Sequence, residues 1–142
     1  MILGFEDAFT DIQADYIALC MEYAGQDMDN IYAYIYQTRY ERMFNAIFTK
    51  DNKTISAGEI GTREQFEEFY NIGIEDIGRL IEVCTKYNHK CPNELKLSFN
   101  VKTKQFDAEY GYEDYSINGD TSSDEVFFNW YIEIKNSLNN AE

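Results

Sequence analysis

The sequence predicts an α+β domain in which an antiparallel sheet of about five strands carries helices packed against it, in the order α-β-β-(β)-α-α-β-β-α. Three observations lead there. Apolar residues recur at helical spacing near both ends of the chain and again over residues 66–87. Apolar and polar residues alternate in two strand pairs, over residues 31–48 and 95–112. The 142 residues hold 44% hydrophobic and 16% aromatic side chains, enough for one core without cross-links, so a single domain over residues 1–142 is expected.

The first helix spans residues 6–24. Phe9, Ile12, Tyr16, Leu19 and Tyr23 form its apolar face, Asp7, Asp11, Asp15 and Glu22 the other, and Gly25 ends it. From Asn30 the period changes to two. Ile31, Ala33 and Ile35 alternate with Tyr32, Tyr34 and Tyr36, and after a turn near residues 37–40 Phe44, Ala46 and Phe48 alternate with Met43, Asn45 and Ile47. Lys50-Asp51-Asn52-Lys53 is a second turn, leading to a short third strand over residues 54–57.

Thr62-Arg63-Glu64-Gln65 fits a capping box and opens a helical region. Phe66, Phe69, Tyr70, Ile74, Ile77, Leu80, Ile81 and Cys84 keep the helical period, but Gly73 and Gly78 weaken it. A break near Asn71-Ile72-Gly73 is expected, giving a short helix and then a longer one, with Pro92 closing the region. Leu95, Leu97, Phe99 and Val101 then alternate with Lys96, Ser98 and Asn100, turn at Lys102-Thr103-Lys104, and resume as Phe106, Ala108, Tyr110 and Tyr112. After a polar loop over residues 116–124, Phe127, Trp130, Tyr131 and Ile134 return at helical spacing. A final helix is expected, although residues 126–132 also suit a strand.

Charge is segregated along this framework. Residues 105–134 contain Asp107, Glu109, Glu113, Asp114, Asp120, Asp124, Glu125 and Glu133 and no Lys or Arg. Residues 1–38 contain Glu6, Asp7, Asp11, Asp15, Glu22, Asp27 and Asp29 and again no base, whereas residues 39–104 are balanced. The formal net charge is −14. Such a surface repels nucleic acid and anionic membrane and attracts a basic protein. Neither direct nucleic-acid binding nor membrane binding is expected.

Chemistry-bearing motifs are sparse. Residues 1–5 have no basic leader region and no apolar run reaches a membrane span, so with three cysteines, Cys20, Cys84 and Cys91, a reducing cytoplasm is expected. Pairing of Cys84 with Cys91 stays open. The single His89 sits among Lys86, Asn88 and Lys90 at a helix end, where a cation suits the helix dipole. Cys84, His89 and Cys91 match no common zinc spacing. Residues 118–125 lack the alternating ligands and internal glycine of a calcium loop. No serine-triad, phosphate-loop or zincin motif occurs. No catalytic residue, metal or cofactor is therefore expected, although paired acids such as Glu113-Asp114 could in principle do acid–base work.

Twelve tyrosines stand out. On the first strand Tyr32, Tyr34 and Tyr36 share one sheet face, and on the last Tyr110 and Tyr112 share one. Tyrosine suits half-buried packing, and beside carboxylates it also suits a protein-binding surface. Both readings are open.

Phe106-Asp107-Ala108-Glu109-Tyr110-Gly111-Tyr112-Glu113-Asp114, followed by Trp130-Tyr131, resembles the C-terminal signature of the YezG-like immunity proteins. More loosely, the order of elements along the whole chain resembles that family too. The resemblance implies a cytoplasmic antitoxin that neutralises a secreted polymorphic toxin, often a nuclease. Residues 116–123 form a longer loop than that pattern. Together with the charge, the expectation is a non-enzymatic protein binding a basic cognate toxin domain one to one. Asp107, Glu109, Glu113, Asp114, Asp120 and Asp124 supply charge, and Tyr110, Tyr112 and Tyr115 are anchors. The alternatives are a small carboxylate- or metal-dependent enzyme and an acidic adaptor for a host partner.

Overall fold

The alternating segments form two hairpins joined through the first strand. In a computed structural model, β1 (Asn30–Gln37) pairs on one side with β2 (Arg42–Lys50) and on the other with β4 (Glu94–Asn100), all antiparallel. β3 (Lys53–Ser56) extends the sheet beyond β2 and β5 (Phe106–Gly111) beyond β4, giving the order β3-β2-β1-β4-β5. The structure describes residues 4–140. Residues 1–3 of the N-terminal stretch read for a leader, and residues 141–142 of the expected domain, lie outside the described residues.

The turns follow from local chemistry. Asp51 and Asn52 both take positive φ, 53° and 64°, the conformation a two-residue hairpin turn requires and one that Asp and Asn tolerate. Asp29 Oδ2 accepts the Asp51 amide at 2.9 Å and Oδ1 pairs with Lys102 at 3.1 Å. The backbone bond first, and then the lysine, hold the Asp29 carboxyl below its usual range. In the β4–β5 turn Asn100 Oδ1 accepts the amides of Lys102 and Thr103, each at 3.0 Å.

α1 (Phe5–Ala24) and α2 (Arg63–Lys86) cover one face of the sheet. Ile31, Ala33, Ile35, Phe44, Ala46, Phe48, Leu95 and Leu97 project into them and meet Phe9, Ile12, Tyr16, Cys20, Phe69, Ile77, Leu80 and Cys84. Each fully buried large side chain contributes about 1.5–3 kcal/mol, so this layer dominates the stability. The capping box forms at the start of α2: Thr62 Oγ1 accepts from the Gln65 amide and Gln65 Oε1 accepts from that of Thr62.

The expected break at Asn71-Ile72-Gly73 does not occur, and α2 runs unbroken for 24 residues. Gly73 is there for close approach. A Cβ at this position would lie 2.1 Å from a ring carbon of Phe44, and the Gly73 carbonyl accepts the Tyr16 hydroxyl at 2.9 Å. The glycine lets β2 and α1 press against α2, while the flanking residues keep the helix intact.

The opposite face is covered by α4 (Ser123–Asn140), which decides the helix-or-strand ambiguity over residues 126–132 in favour of helix. Phe127 packs on Tyr34 with ring centroids 5.6 Å apart and Trp130 on Tyr32 at 5.7 Å. The polar loop before it holds a four-residue helix, α3 (Tyr115–Asn118), which the sequence pattern does not reveal. The observed order therefore has one helix rather than two in the middle and an extra short one near the end, within the α+β class expected. Among the described residues no helix is long and apolar enough to cross a membrane.

Candidate functional site

β5 places its side chains by strict alternation. Phe106, Ala108 and Tyr110 point toward α1, opposite Phe99, Leu97 and Leu95 of β4, while Asp107 and Glu109 point toward α4, opposite Ser98 and Lys96. Asp107 and Glu109 are exposed. With Glu133 of α4 they line a shallow cavity of about 120 Å³ whose floor includes Lys96, Ser98 and Trp130. The Lys96 ammonium lies 5.7 Å from the Trp130 ring centroid. Ion pairs among the described residues join Arg63 to Glu67, Arg79 to Asp15 and Asp76, and Lys102 to Asp29. None involves Asp107, Glu109 or Glu133, all three of which are exposed.

On the other side of β5, Tyr110 and Tyr112 are 44% and 45% exposed. Tyr112 lies just past the end of the strand. Both line a groove of about 360 Å³ with Phe5, Glu6, Phe9 and Pro92. Tyr110 is half anchored: its hydroxyl donates to Gln13 Oε1 at 3.0 Å and its ring lies 5.3 Å from that of Phe9. His89 stacks on Phe5 with ring centroids 3.9 Å apart.

The loop residues divide into tethers and free charge. Asp114 Oδ1 accepts the Ser116 amide at 2.9 Å and so caps α3. Tyr115, expected as an anchor for a partner, turns inward. Its ring stacks on Tyr36 at 5.3 Å, its amide donates to the Tyr36 hydroxyl at 3.0 Å, and its own hydroxyl donates to Glu94 Oε2 at 2.8 Å. The same carboxylate oxygen accepts the Tyr34 hydroxyl at 2.5 Å. Burial, and then the Glu94 hydrogen bond, hold the phenols of Tyr34 and Tyr115 neutral well above the usual tyrosine range. Glu94 is 8% exposed and works as an internal acceptor. Asp120 and Asp124 are exposed near the start of α4, where Asp124 also favours the positive end of the helix dipole.

The sheet-facing tyrosines Tyr34 and Tyr36 are buried, so packing accounts for them. The structure adds Glu133, Phe106 and Glu6 to the surface read from sequence. Glu133 had a signal in its spacing of three from Trp130, which puts both over the sheet. The two acidic stretches lie on opposite faces, Asp7 and Asp11 on the outer side of α1 and Asp107, Glu109 and Glu133 on the α4 side, with the β5 edge between them.

Cys20, Cys84 and Cys91 are free thiols. Cys84 and Cys91 meet in a hydrogen bond, and burial first, followed by the neighbouring Cys84, pushes the Cys91 thiol up to about 12, which disfavours the reactive thiolate at neutral pH. Among the described residues no group of three or more His, Cys, Asp or Glu side chains is placed to hold a metal ion. Compared with known families and characterised proteins, the chain matches no family model and no curated protein.

Proposed function

We propose that this protein is a cytoplasmic immunity protein that binds a basic toxin domain one to one and neutralises it without turnover. The observation that carries the reading is the segregation of charge: eight carboxylates and no Lys or Arg over residues 105–134, borne by β5, the loop segments on either side of α3, and α4. A nuclease must be cationic where it grips phosphates, so an acidic partner complements that surface and is steered to it quickly. Asp107, Glu109 and Glu133, unpaired in ion pairs among the described residues, suit that role. Tyr110 and Tyr112 supply rigid contact area on the other side of the same strand. The likeness of residues 106–114 and Trp130-Tyr131 to the YezG-like signature supports the same reading.

The test is co-expression with the toxin-like reading frame beside the gene. This chain is expected to restore growth, and its purified complex to form more slowly as salt rises. Survival unaffected by deleting the gene would overturn the proposal.

A further inference from the structure

The two edges of the sheet are treated differently. β3 is four residues long, begins at Lys53 and is flanked by α4, where the hydroxyls of Thr54 and Tyr131 lie 3.1 Å apart. β5 is six residues long, and among the described residues no strand pairs with its outer side. It contains no Pro, no Lys and no bulge in its register; of the usual devices that blunt an edge it carries only the carboxylates of Asp107 and Glu109, which repel an anionic strand and admit a cationic one.

Its free backbone groups follow from the register. The Asn100 amide donates to the Gln105 carbonyl at 2.9 Å, which makes that pair hydrogen-bonded. Antiparallel alternation then makes Ser98–Asp107 and Lys96–Glu109 hydrogen-bonded pairs as well. The amides and carbonyls of Phe106, Ala108 and Tyr110 therefore point away from β4. Small Ala108 sits at the centre of this row. On the α4 side of the edge stand the carboxylates of Asp107, Glu109 and Glu133. On the α1 side stand Phe106 and Tyr110, 40% and 44% exposed, with Glu6 in the adjoining groove.

We propose that β5 is a receptor strand: an extended cationic segment of the partner protein adds beside it as a sixth strand. Alternate Lys or Arg side chains of that segment face Asp107 and Glu109, and the intervening apolar side chains face Phe106 and Tyr110. The backbone ladder supplies affinity and the two-sided alternation supplies selectivity. In naming the docking element of the toxin domain, the inference rests on the immunity reading.

Ala108→Pro tests it. The Ala108 amide is outside the β4 ladder, so proline removes no native hydrogen bond, yet its ring obstructs an added strand. With the product of any toxin-like reading frame beside the gene as probe, the variant is expected to keep its circular dichroism and urea midpoint and to bind on the order of 100-fold more weakly, the loss of about two backbone hydrogen bonds. A measurement on the unaltered chain covers the case in which the variant misfolds. Hydrogen exchange at the Ala108 and Tyr110 amides should slow on complex formation. Binding that leaves those amides unchanged and survives Ala108→Pro overturns the receptor strand and spares the immunity reading. If the domain does not bind, the immunity reading fails, and an octapeptide alternating Lys and Val decides the edge by itself. Slowing of the same two amides, absent with a Glu–Val peptide, supports a cationic strand there, and no slowing overturns it.

Discussion

Replacing Gly73 by alanine sets two known effects against each other in a single methyl group. In an exposed helix interior, Gly→Ala stabilises by about 0.5–1 kcal/mol because it lowers the entropy of the unfolded chain. At Gly73 the added Cβ would stand 2.1 Å from one carbon of the Phe44 ring and 2.5 Å from two more, against ordinary contacts of about 3.5–4 Å. The ring has no room to retreat: Phe44 is 1% exposed, with Tyr16 at 5.4 Å and Phe69 at 5.0 Å between centroids. Overpacking of this kind costs roughly 1–3 kcal/mol, so Gly73→Ala is expected to destabilise by about 1–2 kcal/mol net. Gly78 in the same helix is the internal control, since its Cβ would meet only Arg42 Nη1 at 3.4 Å, the end of a flexible side chain. Gly78→Ala should gain a few tenths up to about 1 kcal/mol. Urea unfolding followed by Trp130 fluorescence and by circular dichroism reads both. Combining Gly73→Ala with Phe44→Leu should cost less than the sum of the two, with a coupling of at least about 0.5 kcal/mol. If Gly73→Ala matched or exceeded the parent while the two probes still coincided, the close approach of β2 to α2 would be refuted.

Two further perturbations address the site. Tyr115→Phe keeps the stack on Tyr36 but deletes the bond to Glu94. It should lower stability by about 1–2 kcal/mol, the low side for a bond to a charged group because the residue is partly solvated, while leaving partner dissociation unchanged. Faster dissociation at unchanged stability would return Tyr115 to the interface. The Tyr34 and Tyr115 phenols are held neutral above their usual range, so the folded state binds their protons more tightly than the unfolded chain does. Their contribution is complete below pH about 10 and is lost as pH climbs beyond it. Unfolding free energies measured from pH 8 to 11 should decline at the alkaline end, less steeply in Tyr34→Phe, and a flat profile would contradict the buried network.

What was readable from sequence was whatever short-range periodicity controls. The first helix, the capping box at Thr62 and Gln65, and the hairpin through Leu95, Leu97, Phe106 and Ala108 depend on residues within a few positions of one another. What that periodicity does not reach has long-range causes. Gly73 looked like a helix breaker because its partner, Phe44, is 29 positions away and unrecognisable as such before the sheet forms. Tyr115 looked like a surface anchor because nothing local foretells that its hydroxyl reaches Glu94. The edge position of β5 depends on strand order, which alternation does not encode. The carboxylates were legible as charge, but their division between two faces needed the helix placements.

The acidic segment after β5 is fastened at three points. The Gly111 carbonyl accepts the Asn93 amide at 2.8 Å, Tyr115 is held by Tyr36 and Glu94, and Ser123 Oγ donates to Glu41 Oε2 at 2.6 Å. These fastenings leave only the short spans 112–114 and 116–122 between fixed ends. Ordering a free backbone residue costs about 1–2 kcal/mol, and much of that cost has already been met in folding. In the proposed complex a partner meets a loop whose shape is largely set, and more of the contact energy survives as affinity.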